Sequence, residues 1–127
     1  MAQLNDKARA LFDTTNFVTL ATLNPDGAPQ ASVIWAKVDG DDIVFSTVKG
    51  RRKHRNIERD ARVNLTTFDL SNPYVYAEVR GTATITDDPD GTLIQELSRR
   101  YMGEPWKEHG PAERVIVRVT PEHVYTR

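Results

Sequence analysis

A chain of 127 residues with 39% hydrophobic side chains is the size of one compact domain, residues 1–127, able to bury roughly two thirds of its unfolded surface. Its 17 Lys plus Arg against 18 Asp plus Glu, a net charge of -1, exclude a general polyanion binder, which needs many phosphate contacts along a basic face. The absence of cysteine excludes disulfides, thiolate nucleophiles and Cys-held zinc or iron–sulfur centres, and the apolar run FVTLATL falls far short of the roughly 20 residues that span a bilayer.

The N-terminal MAQLNDKARALFDTTN has no apolar signal core, so a soluble, cytoplasmic protein without membrane partners is expected. Residues 5–13 place Ala8, Leu11 and Phe12 at helical spacing behind Leu4, which predicts a short amphipathic helix ending near Thr14 and lidding one end of a sheet. NFVTLATL, APQASVIWAKV and IVFST, separated by NPDG and DGDD, read as three strands of an antiparallel meander. Residues 51–60 then change period. They read as a polar helix that buries Ile57, with Ala61 beside it, before RVNLTTFD returns to strand.

YVYAEVRGTATIT, after the turn LSNP, is long enough for a bent strand, with Gly81 at a bulge or a close backbone approach. Residues 92–102 put Leu93, Ile94, Leu97 and Tyr101 on one helical face, with Asp88 or Asp90 to cap its start and Gly103 to stop it. EPWKEHGPAE is a loop, and RVIVRVTP and HVYTR read as two closing strands, the first with Val115, Val117 and Val119 on one face. The expected fold is mainly β (α+β): a small split antiparallel barrel of about six to seven strands with peripheral helices.

The chemistry concentrates in STVKGRRKHRNIERDARVNL, which carries Lys49, Arg51, Arg52, Lys53, Arg55, Arg59 and Arg62 against only Glu58 and Asp60. A helix N-terminus offers free backbone N–H groups and the positive end of the dipole, so an anion docks there with little rearrangement. Gly50 gives a flexible approach to that helix. Arg51 and Arg55 share one face and Lys53 and Asn56 another, while Ser46 and Thr47 bring hydroxyls to the preceding strand end. A planar guanidinium fork beside an ammonium suits phosphate. The competing readings are a solvated face neutralised by its own carboxylates, and a nucleic-acid helix; the overall acidity and the lack of aromatics in the stretch count against the latter.

No other pattern carries catalysis. There is no Ser–His–Asp arrangement and no G-x-S-x-G, and His54, His109 and His123 are too scattered for a metal motif, so neither catalytic nor metal residues are assigned. His54 is expected either to touch the phosphate or to lie on the surface. Asp87, Asp88 and Asp90 read as a turn and helix cap because the spaced ligands of a calcium loop are missing. Trp35 reads as core or dimer interface, and Trp106, in a polar loop, as interface or active-site lid.

In that order of elements, three strings form a signature: DG-x-P-Q at residues 26–30, K-x-R-N-I-x-R-D-x-R-V at residues 53–63 and V-x-G-T-A at residues 79–83. The chain resembles the split β-barrel superfamily of pyridoxamine-phosphate-oxidase-like flavin and deazaflavin proteins, and within it looks most like the actinobacterial F420-dependent reductases of the B group. The resemblance implies a phosphate held by Arg51, Lys53, Arg55 and Asn56, with Ser46, Thr47, Lys49 and Gly50 beside them. It implies a tricyclic ring lying along Gln30, Ser32, Val33 and Ile34. It further implies a homodimer with sites between subunits, to which the partner adds aromatics such as Tyr74, Tyr76 and Trp106.

Coenzyme F420 and FMN share a ring and a phosphate, so the resemblance leaves FMN as the alternative cofactor. The acidic tail of F420 would suit the surplus cations Lys49, Arg52 and Arg59. Because the chain stops at HVYTR, it is not expected to oxidise vitamin B6. The expected activity is hydride transfer between F420 and a small conjugated acceptor. The alternatives are an FMN-dependent oxidase or reductase and a non-catalytic F420 carrier.

Overall fold

A computed structural model describes residues 2–127. Helix α1 (Asp6–Phe12) precedes β1 (Val18–Leu23), β2 (Pro29–Ile34), β3 (Lys37–Asp39) and β4 (Asp42–Val48). Helix α2 (Arg52–Arg59), β5 (Arg62–Asp69), β6 (Asn72–Asp87), helix α3 (Thr92–Met102) and β7 (Arg114–Thr126) follow. The strands form one seven-stranded sheet in the order β2-β1-β5-β6-β7-β4-β3, antiparallel at every pairing. This is the expected split barrel. Among the described residues, no helix is long and apolar enough to cross a membrane.

Two strand expectations change. The run APQASVIWAKV is two strands: β2 pairs with β1 at one edge of the sheet, and β3 pairs with β4 at the other. Only Trp35 and Ala36 lie between them, so the outermost strands are consecutive in sequence and the sheet has to curl until its edges meet. The side-chain alternation runs on through the break, which is why periodicity alone reads one strand. Conversely, RVIVRVTP and HVYTR are one continuous strand, β7. Its ladder with β6 jumps from Arg80↔His123 to Gly81↔Pro121, leaving Glu122 as the extra residue of a bulge. A Cβ on Gly81 would stand 2.3 Å from the Thr120 carbonyl oxygen, so the close backbone approach expected there is present.

Inside the curl, Leu20, Phe45, Leu65, Val79, Val115, Val117 and Val119 are fully buried. Helix α1 closes one end against β5, β6 and β7 through Ala8, Leu11 and Phe12, and the Asn5 side chain caps it by accepting from the Ala8 N–H at 2.8 Å. Helix α3 lies outside on β4, where Val44 meets Leu93 and Leu97, so β4 is covered on both faces. Both Asp88 carboxylate oxygens accept N–H groups of α3's first turn, from Thr92 at 3.0 Å and Leu93 at 2.9 Å, while Gly103 ends the helix with φ 74.

Tyr101, at the end of α3, serves the seam between β2 and β3. Its hydroxyl donates to the Asn16 carbonyl at 2.7 Å and accepts from the Ala36 N–H at 3.1 Å, while its ring stacks on Trp35 at 5.4 Å. Where ladder hydrogen bonds cannot form, one phenol satisfies two backbone groups. Tyr101→Phe therefore lowers unfolding free energy by about 1–3 kcal/mol in urea titration, the cost of leaving buried backbone groups unpaired; a loss below about 0.5 kcal/mol, the low end of a single bond's net contribution, removes this role.

Candidate functional site

The seam between the sheet edges opens into a cavity of about 220 Å3. Val33, Ile34 and Trp35 enter it from the end of β2 and Ser46 from β4. Arg51 and Lys53 come from the start of α2, Ile94 and Leu97 from α3, Trp106 from the following loop and Arg114 from the start of β7.

Local sequence explains the cationic wall. After β4 the chain turns through Gly50 at φ 92 and sets Arg51, with extended backbone, at the N-cap of α2. No side chain caps this helix and its first turn contains no acid, so the amide donors of that turn stay available. Among the described residues, no carboxylate forms a salt bridge with Arg51, Arg52, Lys53 or Arg55. Lys53 is half-buried, and that burial, reinforced by the neighbouring Arg51 charge, lowers its ammonium pKa below the ordinary lysine value. An anion between these groups would relieve both effects. Ser46 adds a buried hydroxyl with no hydrogen-bond partner, and Ser32 and Thr47 carry two more.

The opposite wall is aromatic and held firmly. Trp106 meets Trp35 edge-on at 5.9 Å, and the Arg114 guanidinium lies 5.3 Å from the Trp106 ring centre. Arg114 is only 6% exposed, and its charge is matched by a two-point contact with Glu108 at 2.8 and 3.1 Å. That hydrogen bonding holds the Glu108 carboxyl down at about 2. The Gln95 side chain donates to the Trp106 carbonyl at 2.8 Å and accepts from its N–H at 3.0 Å, and Ser98 donates to the Glu104 carbonyl at 2.8 Å. The loop is thereby pinned to α3.

Of the residues singled out in the sequence, Val33, Ile34, Ser46, Arg51, Lys53 and Trp106 meet in this cavity. Others lie elsewhere. Asn56 is fully buried, donating to Thr22 Oγ1 and Asn24 Oδ1 at 3.0 Å each, and the Thr22 hydroxyl passes the chain on to Gln30 at 3.3 Å. Asn56 and Gln30 thus tie α2, β1 and β2 together away from the cavity. Thr47 alternates to the face opposite Ser46, and Ser32 sits on the inward face of β2. Arg55 is exposed on α2.

Lys49 pairs with Asp87 at 3.0 Å on a separate groove, and Arg59 donates to the Leu23 carbonyl, so these two cations are already engaged. Gly50 donates its N–H to His54, which is buried rather than on the surface or in the cavity. Tyr74, 79% exposed, and Tyr76 belong to β6 and do not line the cavity of their own chain. Trp35, Ile94, Leu97 and Arg114 were not singled out as lining residues. The helical face of α3 was legible, but nothing in the sequence linked it to a cavity.

Residues 4–127 match the pyridoxamine 5'-phosphate oxidase family. The chain belongs to that family. A solved structure described as an F420 reductase is 36% identical over 92% of this chain and 94% of its own, with a TM-score of 0.85. A conserved hypothetical protein from Mycobacterium tuberculosis is 22% identical over 99% of this chain and 85% of its own, with a TM-score of 0.78. General Stress Protein 26 from Bacillus anthracis is 19% identical over 95% and 91%, with a TM-score of 0.73. At such low identity, the last two share the fold of the pyridoxamine 5'-phosphate oxidase family and nothing more is drawn from them.

The Glu108–Arg114 contact gives this family member a pH signature. Because folding depresses the Glu108 pKa from 4.5 to about 2, its contribution to stability is full above about pH 4.5 and disappears as pH falls towards 2. The difference in melting temperature between wild type and Glu108→Gln is expected to be constant above about pH 5.5 and to shrink steadily below about pH 4.5. A difference that does not change with pH contradicts the pairing.

Proposed function

We propose that this member of the pyridoxamine 5'-phosphate oxidase family is an F420-dependent oxidoreductase acting on a small conjugated organic acceptor. The observation that carries the reading is the pair of cations Arg51 and Lys53, neither in a salt bridge among the described residues, beside the partnerless Ser46 hydroxyl in a cavity walled by Trp35 and Trp106. These donors fit a phosphate. The fit extends to the ring, since Val33, Ile34 and Trp35 offer an apolar edge along the same opening. The similarity to the solved F420 reductase favours the deazaflavin over FMN.

When bound, F420 supplies a carbon-centred hydride donor or acceptor. The residues of the chain bind and orient: Arg51, Lys53 and Ser46 hold the phosphate, and the indoles flatten the space in which donor and acceptor carbons approach. No side chain has to act as an acid or base in that step. Arg52 and Arg55, exposed and in no salt bridge among the described residues, remain for an acidic tail, because Lys49 and Arg59 are engaged.

The reading includes a homodimer. Val33, Phe68, Tyr74 and Tyr125 are exposed, and a cleft of about 360 Å3 lies on the sheet beside Ala21, Asn64 and Arg80, a surface suited to a second copy that would lend Tyr74 to the site.

Fluorescence titration tests the proposal. F420 is expected to bind at micromolar concentration and FMN more weakly; tight FMN binding with no F420 binding overturns it. Turnover with quinones, enones or related acceptors separates a reductase from a carrier. Lys53→Ala is expected to weaken F420 binding roughly tenfold or more, the scale of a charge-assisted contact, while thermal stability holds or rises because an unpaired, half-buried charge has gone. Unchanged affinity removes Lys53 from the site.

A further inference from the structure

His54 has no part in the function proposed above, yet it is 6% exposed and makes a specific contact with the turn that leads into α2. Its Nδ1 accepts the Gly50 N–H at 3.1 Å. The neighbouring amides are also anchored: Lys49 donates to the Glu113 carbonyl at 2.9 Å and Arg51 to the Val48 carbonyl at 3.2 Å. Three successive N–H groups thus fix the path from β4 to the N-cap. Two of their acceptors are peptide carbonyls, which do not titrate in water. The third does: Nδ1 accepts only while unprotonated, so the contact places the ring proton on Nε2.

Protonation would turn this acceptor into a donor facing another donor. One turn further along α2, Glu58 Oε1 lies 3.6 Å from the same Nδ1, beyond hydrogen-bond reach but close enough to pair with an imidazolium charge. The remaining charged groups around this groove are Lys49 from the turn and Asp87 from β6, mutually paired at 3.0 Å, with Glu113 acting on Lys49 from the approach to β7. At the start of α2 and along it, the charged neighbours in sequence are Arg51, Arg52, Lys53, Arg55 and Glu58.

We propose that His54 is a positioning residue for the anion site: its unprotonated Nδ1 holds the Gly50 peptide so that Arg51 and the free amides of α2 converge, and protonation releases that peptide to weaken anion binding. This inference rests on the reading that the start of α2 holds the cofactor phosphate. Gly50 is the position at which such control is feasible, because a residue without a Cβ leaves φ 92 for other conformations at little steric cost once its N–H is freed. The added imidazolium charge would by itself favour an anion, so the direction of the pH effect distinguishes geometry from simple electrostatics.

Two measurements test this. In 15N-edited NMR of the wild-type protein without ligand, His54 is expected to carry its proton on Nε2, and the Gly50 amide resonance is expected to move with His54 titration; a Gly50 amide that ignores that titration overturns the proposal. In fluorescence titration, wild-type affinity for F420 is expected to fall between about pH 8 and about pH 5 by roughly five- to tenfold more than that of His54→Gln, the factor one hydrogen bond accounts for. Titration of the cofactor is common to both proteins and cancels. Equal pH dependence in the two, or tighter wild-type binding in acid relative to His54→Gln, also overturns it. Failure of wild type to bind F420 or FMN at about pH 8, where imidazole is neutral, defeats the cofactor reading, whereas the Gly50 resonance still decides the role of His54.

Discussion

Trp35 and Ala36 carry the chain from β2 at one edge of the sheet to β3 at the other, and this two-residue crossing constrains everything around it. Edges joined so tightly cannot lie flat, yet β2 and β3 cannot pair with each other along a shared ladder, because one continues into the other. The result is a barrel with a slit. Backbone groups at the slit need partners from outside the sheet, and Tyr101 supplies them at Ala36 and Asn16. The same slit brings β2 beside β4 from opposite ends of the strand order, so Val33 and Ser46 face one space. The cavity is thus a consequence of how the sheet closes, and α2, α3 and the Trp106 loop give it walls.

Charge is distributed around this cavity unevenly. Arg114 is matched by Glu108, Lys49 by Asp87, and Arg59 by a backbone carbonyl, which leaves Lys53 and Arg51 on the cavity wall with no salt bridge among the described residues, Arg51 feeling Glu108 only at longer range. A half-buried ammonium beside a guanidinium is unfavourable, and both burial and the Arg51 charge push the Lys53 pKa down. Such an arrangement persists in a stable fold only where other contacts outweigh it, and here Asn56 anchors the same helix through Thr22 and Asn24. The inner face of α2 therefore supplies stability, and its first turn gives up part of it.

Much of this was legible in the residues. The 3.6-residue spacing of α1 and α3, the Asp88 cap, the Gly81 approach and the density of cations after β4 each have a local physical cause, and each is present in the fold. What escaped depended on distance or on competition. The break at Trp35 was hidden because alternation continues across it. Asn56 and Lys49 look like ligands by composition, but a buried polar side chain or a cation beside an acid is claimed by its neighbours first, and those neighbours, Thr22 and Asp87, lie more than thirty positions away. Arg114 gave no signal at all, since its relation to the cavity exists only once β7 pairs with β4.

The way Gln95 grips Trp106 bears on how this pocket could change its preferences. One amide that bonds both the N–H and the carbonyl of a single residue imitates a neighbouring strand, so the backbone that carries this indole is fastened to α3, while the ring itself rests on Trp35 and Arg114. Under the proposed function, selection among incoming molecules would fall to the outline of the mouth. Diversification of the pocket would proceed by trading volumes at Ile94 and Leu97 on the helix behind it, leaving the gripping residue untouched.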